Sequence, residues 1–419
     1  RPGVSELSME LLAPAGSPEK LRYAYHFGAD AAYIGLPSFS LRSRADNFPP
    51  GSGPELAPLK AGGKRLYLAV NAFLHQQDLG RLEEALDHIA DFPLDAFIVS
   101  DLGAAALLRR RFPYTPLHLS TQANCLNAEA ARAYSDLGFS RIILGREATL
   151  AEIAEIKAAV PEIELEAFVH GAMCLAYSGR CFLSADLTGR SANAGDCTHS
   201  CRWRYRVLEE AERPGEYLPV EEGEDFTTIL SSKDLCMFDH LRELRDAGVD
   251  AAKIEGRMKS LYYTAVVTRA YRAAIDALDD PSINLAPHRE ELLKTSRREF
   301  STGFYFGRRD ADKTTAISYV RSYRFVGTVG APAETAPEMA KTETPSDTGL
   351  FRLHLRNKLA EGEEIEYIGP NVLYRQDRGF RLYDAEGSRL SEANHGTECY
   401  LRPSVEVEPD FIIRKIDPY

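Results

Sequence analysis

Cysteine is the residue type whose spacing in this chain carries the most chemistry. Four of the seven cysteines, Cys174, Cys181, Cys197 and Cys201, fall between His170 and Tyr205 with the spacing C-x6-C-x15-C-x3-C, and a fifth, Cys236, follows in SSKDLC. Thiolates are soft ligands, and so dense a group in a chain that opens without an apolar signal segment points to a metal or iron–sulfur site. A disulfide framework fits poorly, because the cysteine count is odd and cysteine is scarce over the whole length. Zinc is one alternative, although zinc ligands are usually spaced about two to four residues apart. Only Cys197 and Cys201, with His199 between them, come near that spacing. Ordinary packed thiols are the other alternative, and Cys125 and Cys399 are read that way.

A second group of candidates lies where short apolar runs end. Side chains alternate across a strand, so polar residues two apart share a face. In LHLSTQ this joins His118, Ser120 and Gln122, and in AAKIEGR it joins Lys253 and Glu255, with Arg257 just beyond. An inward Lys–Glu pair could position a substrate acid or move a proton, and a buried structural ion pair is the competing reading. Asn71 ends the third run, Arg146 and Glu147 follow the sixth, and His170 ends the seventh, directly before the cysteines. Arg42 and Arg44 sit in the loop FSLRSRADNF, where guanidinium forks would suit an anionic substrate. Lys253, Glu255, His170 and Gln122 are thus the candidates for chemistry. Arg42, Arg44, Asn71, Ser120, Arg146, Glu147 and Arg257 are the candidates for binding. The sequence contains no H-E-x-x-H, G-x-S-x-G or Walker loop, so no motif supports a zinc protease, a serine hydrolase or a P-loop enzyme.

These residues hang on a regular alternation. Apolar runs at Glu10–Ala13, Ala31–Ile34, Arg65–Val70, Ala96–Val99, Leu117–Ser120, Arg141–Leu144, Leu165–Val169 and Ala251–Ile254 read as eight strands. Helical patterns lie between them, among them Pro18–Phe27, Leu79–Ala90, Gly103–Arg111, Ala128–Leu137 and Leu150–Val160. Eight βα units predict an α/β fold, a (β/α)8 TIM-like barrel over residues 9–278, with a cysteine-rich insertion, 170–236, at its C-terminal face. Within and after that insertion the pattern predicts a strand at Thr228–Ser232 and a helix at Leu235–Ala247. Residues 279–318 read as a helical and polar connector. From 319 to 419 short runs such as YRFVGTV, LFRLHL, EIEYI and FRLYD, split by Gly and Asp, predict a small C-terminal all-β, barrel-like domain.

Composition sets the outer bounds. The chain has 419 residues, 44% hydrophobic and 27% charged, which is the range of a water-soluble protein of about two domains. A formal net charge of −12 argues against broad non-specific nucleic-acid binding and leaves a local basic groove open. The sequence holds no run of roughly 18 apolar residues, so no membrane span and a cytoplasmic location are expected. The first residue is Arg rather than Met, which leaves the true start open.

ELLAPAGSPEKLRYAYHFGADAAYIG, FVHGAMCLAYSGRCFLS, GDCTHSCRWRY and SSKDLC…DAGVDAAKIEGRMKS closely resemble the peptidase U32 family, once labelled collagenase-like proteases, over roughly residues 9–280. FSLRSR, HLSTQAN, RPGEY and the C-terminal β domain look most like its RNA-hydroxylating members. The resemblance implies a cluster-dependent hydroxylase rather than a peptidase. Members of this kind contribute to 5-hydroxyuridine at the tRNA wobble position by an oxygen-independent route linked to prephenate. Others act on a cytidine of 23S rRNA or, with a 4Fe–4S cluster, on ubiquinone. Carried over residue by residue, the cluster pattern of the ubiquinone-pathway members selects Cys174, Cys181, Cys197 and Cys236, with Cys201 competing for the fourth place. Zinc, or no retained metal, stays the alternative. Arg42, Arg44 and Arg257 would hold the carboxylates of the donor. The implied partners are tRNA, a small carboxylate co-substrate, and proteins that deliver iron–sulfur clusters or electrons. A hydroxylase of a small aromatic or quinone molecule, and a peptidase, are the alternative functions.

Overall fold

The computed structural model describes residues 9–41, 48–49, 51–60, 62–174, 180–181, 183–202, 221–222, 227–228, 232–307, 319–333 and 349–417. They divide into two compact units, one made of the residues up to 285 together with 297–319, the other of 286–296 together with 320 onward.

In the first unit the apolar runs become parallel strands. They are β1 (Glu10–Pro14), β2 (Ala31–Gly35), β3 (Arg65–Val70), β4 (Ala96–Val99), β5 (Leu117–Leu119), β6 (Arg141–Ile143) and β7 (Glu164–Ala172). Within the insertion lie a two-residue pair, β8 (Glu221–Glu222) and β9 (Thr227–Thr228), then β10 (Asp234–Cys236), and after it comes β11 (Ala251–Ile254). β11 pairs in parallel with both β1 and β7, which closes the eight strands into a barrel. Nearly every barrel-strand residue is buried, as expected for a parallel sheet enclosed between a packed interior and an outer ring of helices.

The ring consists of α1 (Pro18–His26), α2 (Gly53–Leu59), α3 (Gln76–His88), α4 (Leu102–Arg111), α5 (Ala128–Asp136) and α6 (Leu150–Ala159). The insertion contributes α7 (Leu183–Thr188), and α8 (Leu241–Asp246) and α9 (Leu261–Asp276) flank the last strand. Their ends follow the local chemistry: Ser17 caps α1, and Thr149 with Glu152 forms a capping box on α6. The sequence reading missed α2, whose run is broken by Pro54 and Pro58.

The expected helix Leu235–Ala247 is shorter than its pattern. Its first residues instead form β10, which pairs antiparallel with the end of β7, with Cys236 opposite His170. Backbone pairing at an open sheet edge overrides a local helical period there. β12 (Phe300–Ser301) then adds in parallel to β10. The strand expected at Thr228–Ser232 lies largely outside the described residues.

The second unit gathers α10 (Ala286–Leu293) with an antiparallel sheet. Its strands are β13 (Tyr323–Pro332), β14 (Phe351–Leu355), β16 (Ile365–Ile368), β17 (Arg375–Asp377), β18 (Arg381–Asp384), β19 (Arg389–Leu390), β21 (Cys399–Arg402) and β22 (Ile412–Ile416). Their order is β17-β16-β22-β13-β14-β21-β18-β19, and β15 (Leu359–Ala360) pairs separately with β20 (Glu392–Ala393). Along β14 buried and exposed residues alternate, the period-two signature of a sheet with one buried face. The fully buried Arg414 is held by Glu291 at 2.7 Å and by Glu366 at 2.6 Å. No described helix is long and apolar enough to cross a membrane.

Candidate active site at the barrel mouth

The barrel interior carries polar residues in two layers. The lower layer starts at the N-terminal ends of β1 and β6. Arg141 donates to Glu10 at 2.6 Å, to Glu166 at 3.1 Å and to Glu164 at 2.7 Å, and Tyr67 donates to Glu10 at 3.1 Å. Lys253 Nζ reaches Glu166 from above at 2.7 Å. His118 packs edge-on against Tyr67 with ring centroids 4.8 Å apart. Burial first, and then the cations Arg141 and Lys253, hold the His118 pKa well below the usual histidine range, so this imidazole is neutral.

The upper layer is a cavity at the C-terminal ends of the strands, where barrels of this kind place their chemistry. It encloses about 490 Å3, counting the part open to solvent. Its polar lining includes Asn71 after β3, Ser120 and Gln122 after β5, Arg146 after β6, and Lys253, Glu255 and Arg257 from β11 and the turn behind it. Tyr33 and Phe168 supply apolar wall.

Each group is held in place. Asn71 Nδ2 donates to Ser120 Oγ at 3.3 Å, and its Oδ1 accepts from the Leu41 N–H at 3.2 Å, tying three strand ends together. The Arg146 guanidinium lies 3.9 Å from the centre of the Phe168 ring and 3.8 Å from Glu255. Arg257 is buried and donates to Ser40 Oγ at 2.7 Å. A Cβ on Gly35 would stand 2.1 Å from an Arg257 nitrogen, so the missing side chain makes the space that this guanidinium fills. Lys253 Nζ sits 4.5 Å from the centre of the Tyr33 ring. Burial pushes its pKa below the usual lysine range, and Glu166 opposes that shift. Gln122 is 9% exposed, and its side-chain oxygen is buried without a hydrogen-bond partner among the described residues.

Seven of the expected residues therefore meet in one cavity: Lys253, Glu255, Gln122, Asn71, Ser120, Arg146 and Arg257. The expected Lys253–Glu255 pair is rearranged, because Lys253 bonds down to Glu166 while Glu255 turns to Arg146 and Tyr33. Glu147 lies outside the lining and turns back toward Gly145.

His170 is absent from the cavity as well. The register between β7 and β11 slips after Phe168–Lys253, so that Ile254 faces His170, and this bulge breaks the alternation that would aim His170 inward with Glu166 and Phe168. His170 instead packs among Tyr263, Tyr271 and Phe300, with Nδ1 3.2 Å from the Tyr271 hydroxyl. Its burial lowers its pKa to about 3. Arg42 and Arg44 lie outside the described residues.

Glu166 and Tyr33 are the site residues that sequence reasoning missed. The signal for Glu166 was a single acid in the strand LEAFV, two positions before Phe168 on the same face.

The cysteines match a metal cluster in kind more than in arrangement. Among the described residues Cys174, Cys181, Cys197, Cys201 and Cys236 form no disulfide with one another, and all are at least partly exposed. Cys197 Sγ accepts the His199 N–H at 3.4 Å. Cys236 Sγ lies 3.8 Å from the Tyr271 hydroxyl. Among the described residues, however, no three His, Cys, Asp or Glu side chains gather in metal-ligating geometry, and 175–179 and 182 are not among those residues.

A family model described as peptidase family U32 matches residues 16–315, and one for the U32 C-terminal domain matches 321–414. The tRNA hydroxylation protein P1 of Bacillus subtilis is 36% identical over 97% of this chain and 94% of its own length. The tRNA hydroxylation protein P of Escherichia coli is 40% identical over 86% of each. The 23S rRNA 5-hydroxycytidine C2501 synthase of Escherichia coli is 37% identical over 68% of this chain and 42% of its own length. With both family models matched in sequence order, this chain belongs to the peptidase U32 family.

Proposed function

We propose that this chain is an RNA hydroxylase that contributes to 5-hydroxyuridine at the wobble position of tRNA. The observation that carries the reading is the near full-length match, barrel and C-terminal unit together, to two proteins named for tRNA hydroxylation. The cavity supports it chemically. Among the described lining residues Arg146, Arg257 and Lys253 stand against one carboxylate, Glu255, which favours a small anionic co-substrate, and prephenate is the donor we assign.

In this reading Arg257, fixed by Ser40, and Arg146, fixed by Phe168 and Glu255, orient the carboxylates of the donor. Lys253 and Glu166 hold a proton at the cavity floor, and the Gln122 amide oxygen accepts a hydroxyl or amide proton of the bound molecule. Cys174, Cys181, Cys197 and Cys236 would hold a 4Fe–4S cluster, which when bound supplies one-electron chemistry. Proteins that deliver the cluster and its electrons are the further partners of this reading. A peptidase has less behind it, because Ser120, the serine of the cavity, uses its hydroxyl to accept from Asn71 and from the Gln122 N–H.

Nucleoside mass spectrometry of tRNA from a deletion strain, grown with and without oxygen and lacking any redundant route, tests the function. The expected result is loss of 5-hydroxyuridine derivatives, and unchanged levels under both conditions would overturn it. Anaerobic reconstitution tests the cluster: Cys236→Ala should lose its absorbance and Cys201→Ala should largely keep it.

A further inference from the structure

We infer that Lys253 is a nucleophile that forms an imine with a 2-oxo carboxylate bound in the barrel-mouth cavity. The inference rests on the proposed function for its ligand class, since prephenate, the donor assigned above, itself carries a 2-oxo carboxylate; the imine and the role of Lys253 are new.

Three observations meet at this side chain. First, Lys253 is 4% exposed yet lines the cavity, with Nζ over the Tyr33 ring at 4.5 Å and 5.5 Å from the centre of the Phe168 ring. Burial strips away the hydration that normally keeps a lysine protonated and unreactive, while the ring faces shape the pocket around Nζ. Second, its partner Glu166 is fully buried and fixed from the far side by Arg141, so a proton acceptor stands at 2.7 Å with no freedom to leave. Third, the cavity above Nζ is lined by two guanidinium groups, Arg146 and Arg257, and by the unpartnered Gln122 oxygen. A carboxylate seated on the guanidinium groups brings the carbon next to it toward the amine, and an electrophilic carbon at that position is the ketone of a 2-oxo acid.

The step balances without any further reactant. Glu166 takes one proton from the Lys253 ammonium, which frees the nitrogen lone pair to attack the carbonyl carbon. The new C–N bond forms as the carbonyl π pair moves to oxygen. That oxygen takes the proton from Glu166 and one more from nitrogen, and the C–O bond breaks to release water. The iminium that remains carries the single positive charge of the original ammonium and faces the same Glu166 carboxylate. Ammonium plus ketone has become iminium plus water.

The experiment is borohydride trapping of the purified full-length chain with pyruvate as the minimal 2-oxo acid and acetone as the ketone without a carboxylate. Peptide mapping by mass spectrometry reads the position of the reduced adduct. We expect pyruvate to label the peptide carrying Lys253 and acetone to label it about tenfold less or weaker, since charge-assisted bonds to the guanidinium groups are lost. Lys253→Met should abolish the label while circular dichroism stays unchanged, because Glu166 keeps Arg141 as a partner. The wild-type map stands without that variant if it folds poorly. Labelling confined to other lysines, no labelling at all, or equal labelling by acetone would overturn the inference. None of these outcomes depends on RNA, so a failed trap and an unchanged tRNA nucleoside profile condemn different claims.

Discussion

The two polar layers inside the barrel are built from the same residue types and do opposite things. In the floor every charge is answered, and the one orphan among its described groups is the neutral His118 Nδ1: Arg141 serves Glu10, Glu164 and Glu166, and Tyr67 and Arg65 complete Glu10. At the mouth, one strand layer up, the guanidinium groups outnumber the carboxylates among the described residues, and the buried Gln122 oxygen has no partner among them. A closed network holds strands together, and an incomplete one is set up to be completed by a ligand. Lys253 belongs to both layers, since it bonds down to Glu166 and lines the cavity above.

Breaking the floor should give the largest change in stability. Arg141→Met leaves Glu10 and Glu166 buried with fewer cations, and removing one partner of a buried ionic network costs about 3–5 kcal/mol. Urea denaturation followed by circular dichroism should show that loss. A change under about 1 kcal/mol would mean the floor is replaceable packing, and the contrast between the layers would fail.

Acid should find the floor and the barrel wall next. His118 and His170 are buried and neutral, and burial holds both below the usual histidine pKa of 6.5, His170 at about 3. A folded-state pKa below the unfolded one means that the unfolded chain binds the extra proton first. For both, the full contribution is therefore present above about pH 6.5 and declines as pH falls below it; for His170 the decline runs down to about pH 3, by at most about 1.4 kcal/mol per pH unit. Denaturation midpoints at pH 7 and pH 5 check it, and His170→Gln should make the slope shallower.

How much of this was legible in the sequence differs between the layers for a physical reason. The eight strands were readable because buried parallel strands are short apolar runs, and the mouth residues were readable because they follow those runs. Lys253, Glu255 and Arg257 needed only the alternation of one strand. Glu166 is masked by the apolar residues of the run LEAFV around it, and its partners Arg141 and Lys253 lie far along the chain. His170 was misdirected by the same alternation that worked elsewhere, because the bulge in β7 occurs where β10 arrives from more than sixty residues downstream to pair with its end. Likewise the helical pattern starting at Leu235 could not announce that a sheet edge would claim its first turn. A local pattern reports a local preference, and these are places where a distant strand decides.

The sharpest test of the contrast has the smallest expected effect on stability. Gln122 is buried, and its oxygen meets no donor, so its amide was desolvated on folding without full repayment in hydrogen bonds. Replacing such a group by an apolar one of similar size removes that cost, whereas the same exchange in a satisfied network creates one. Gln122→Leu should therefore leave stability unchanged or raise it by up to about 1 kcal/mol, the reverse of the Arg141→Met result. If the oxygen exists to meet a ligand, the variant should also lose tRNA hydroxylation in cells, read by the nucleoside profile of a complemented deletion strain. Stability lost together with activity would place Gln122 with the floor. Stability kept while activity falls separates a residue that holds the barrel from one that waits for what enters it.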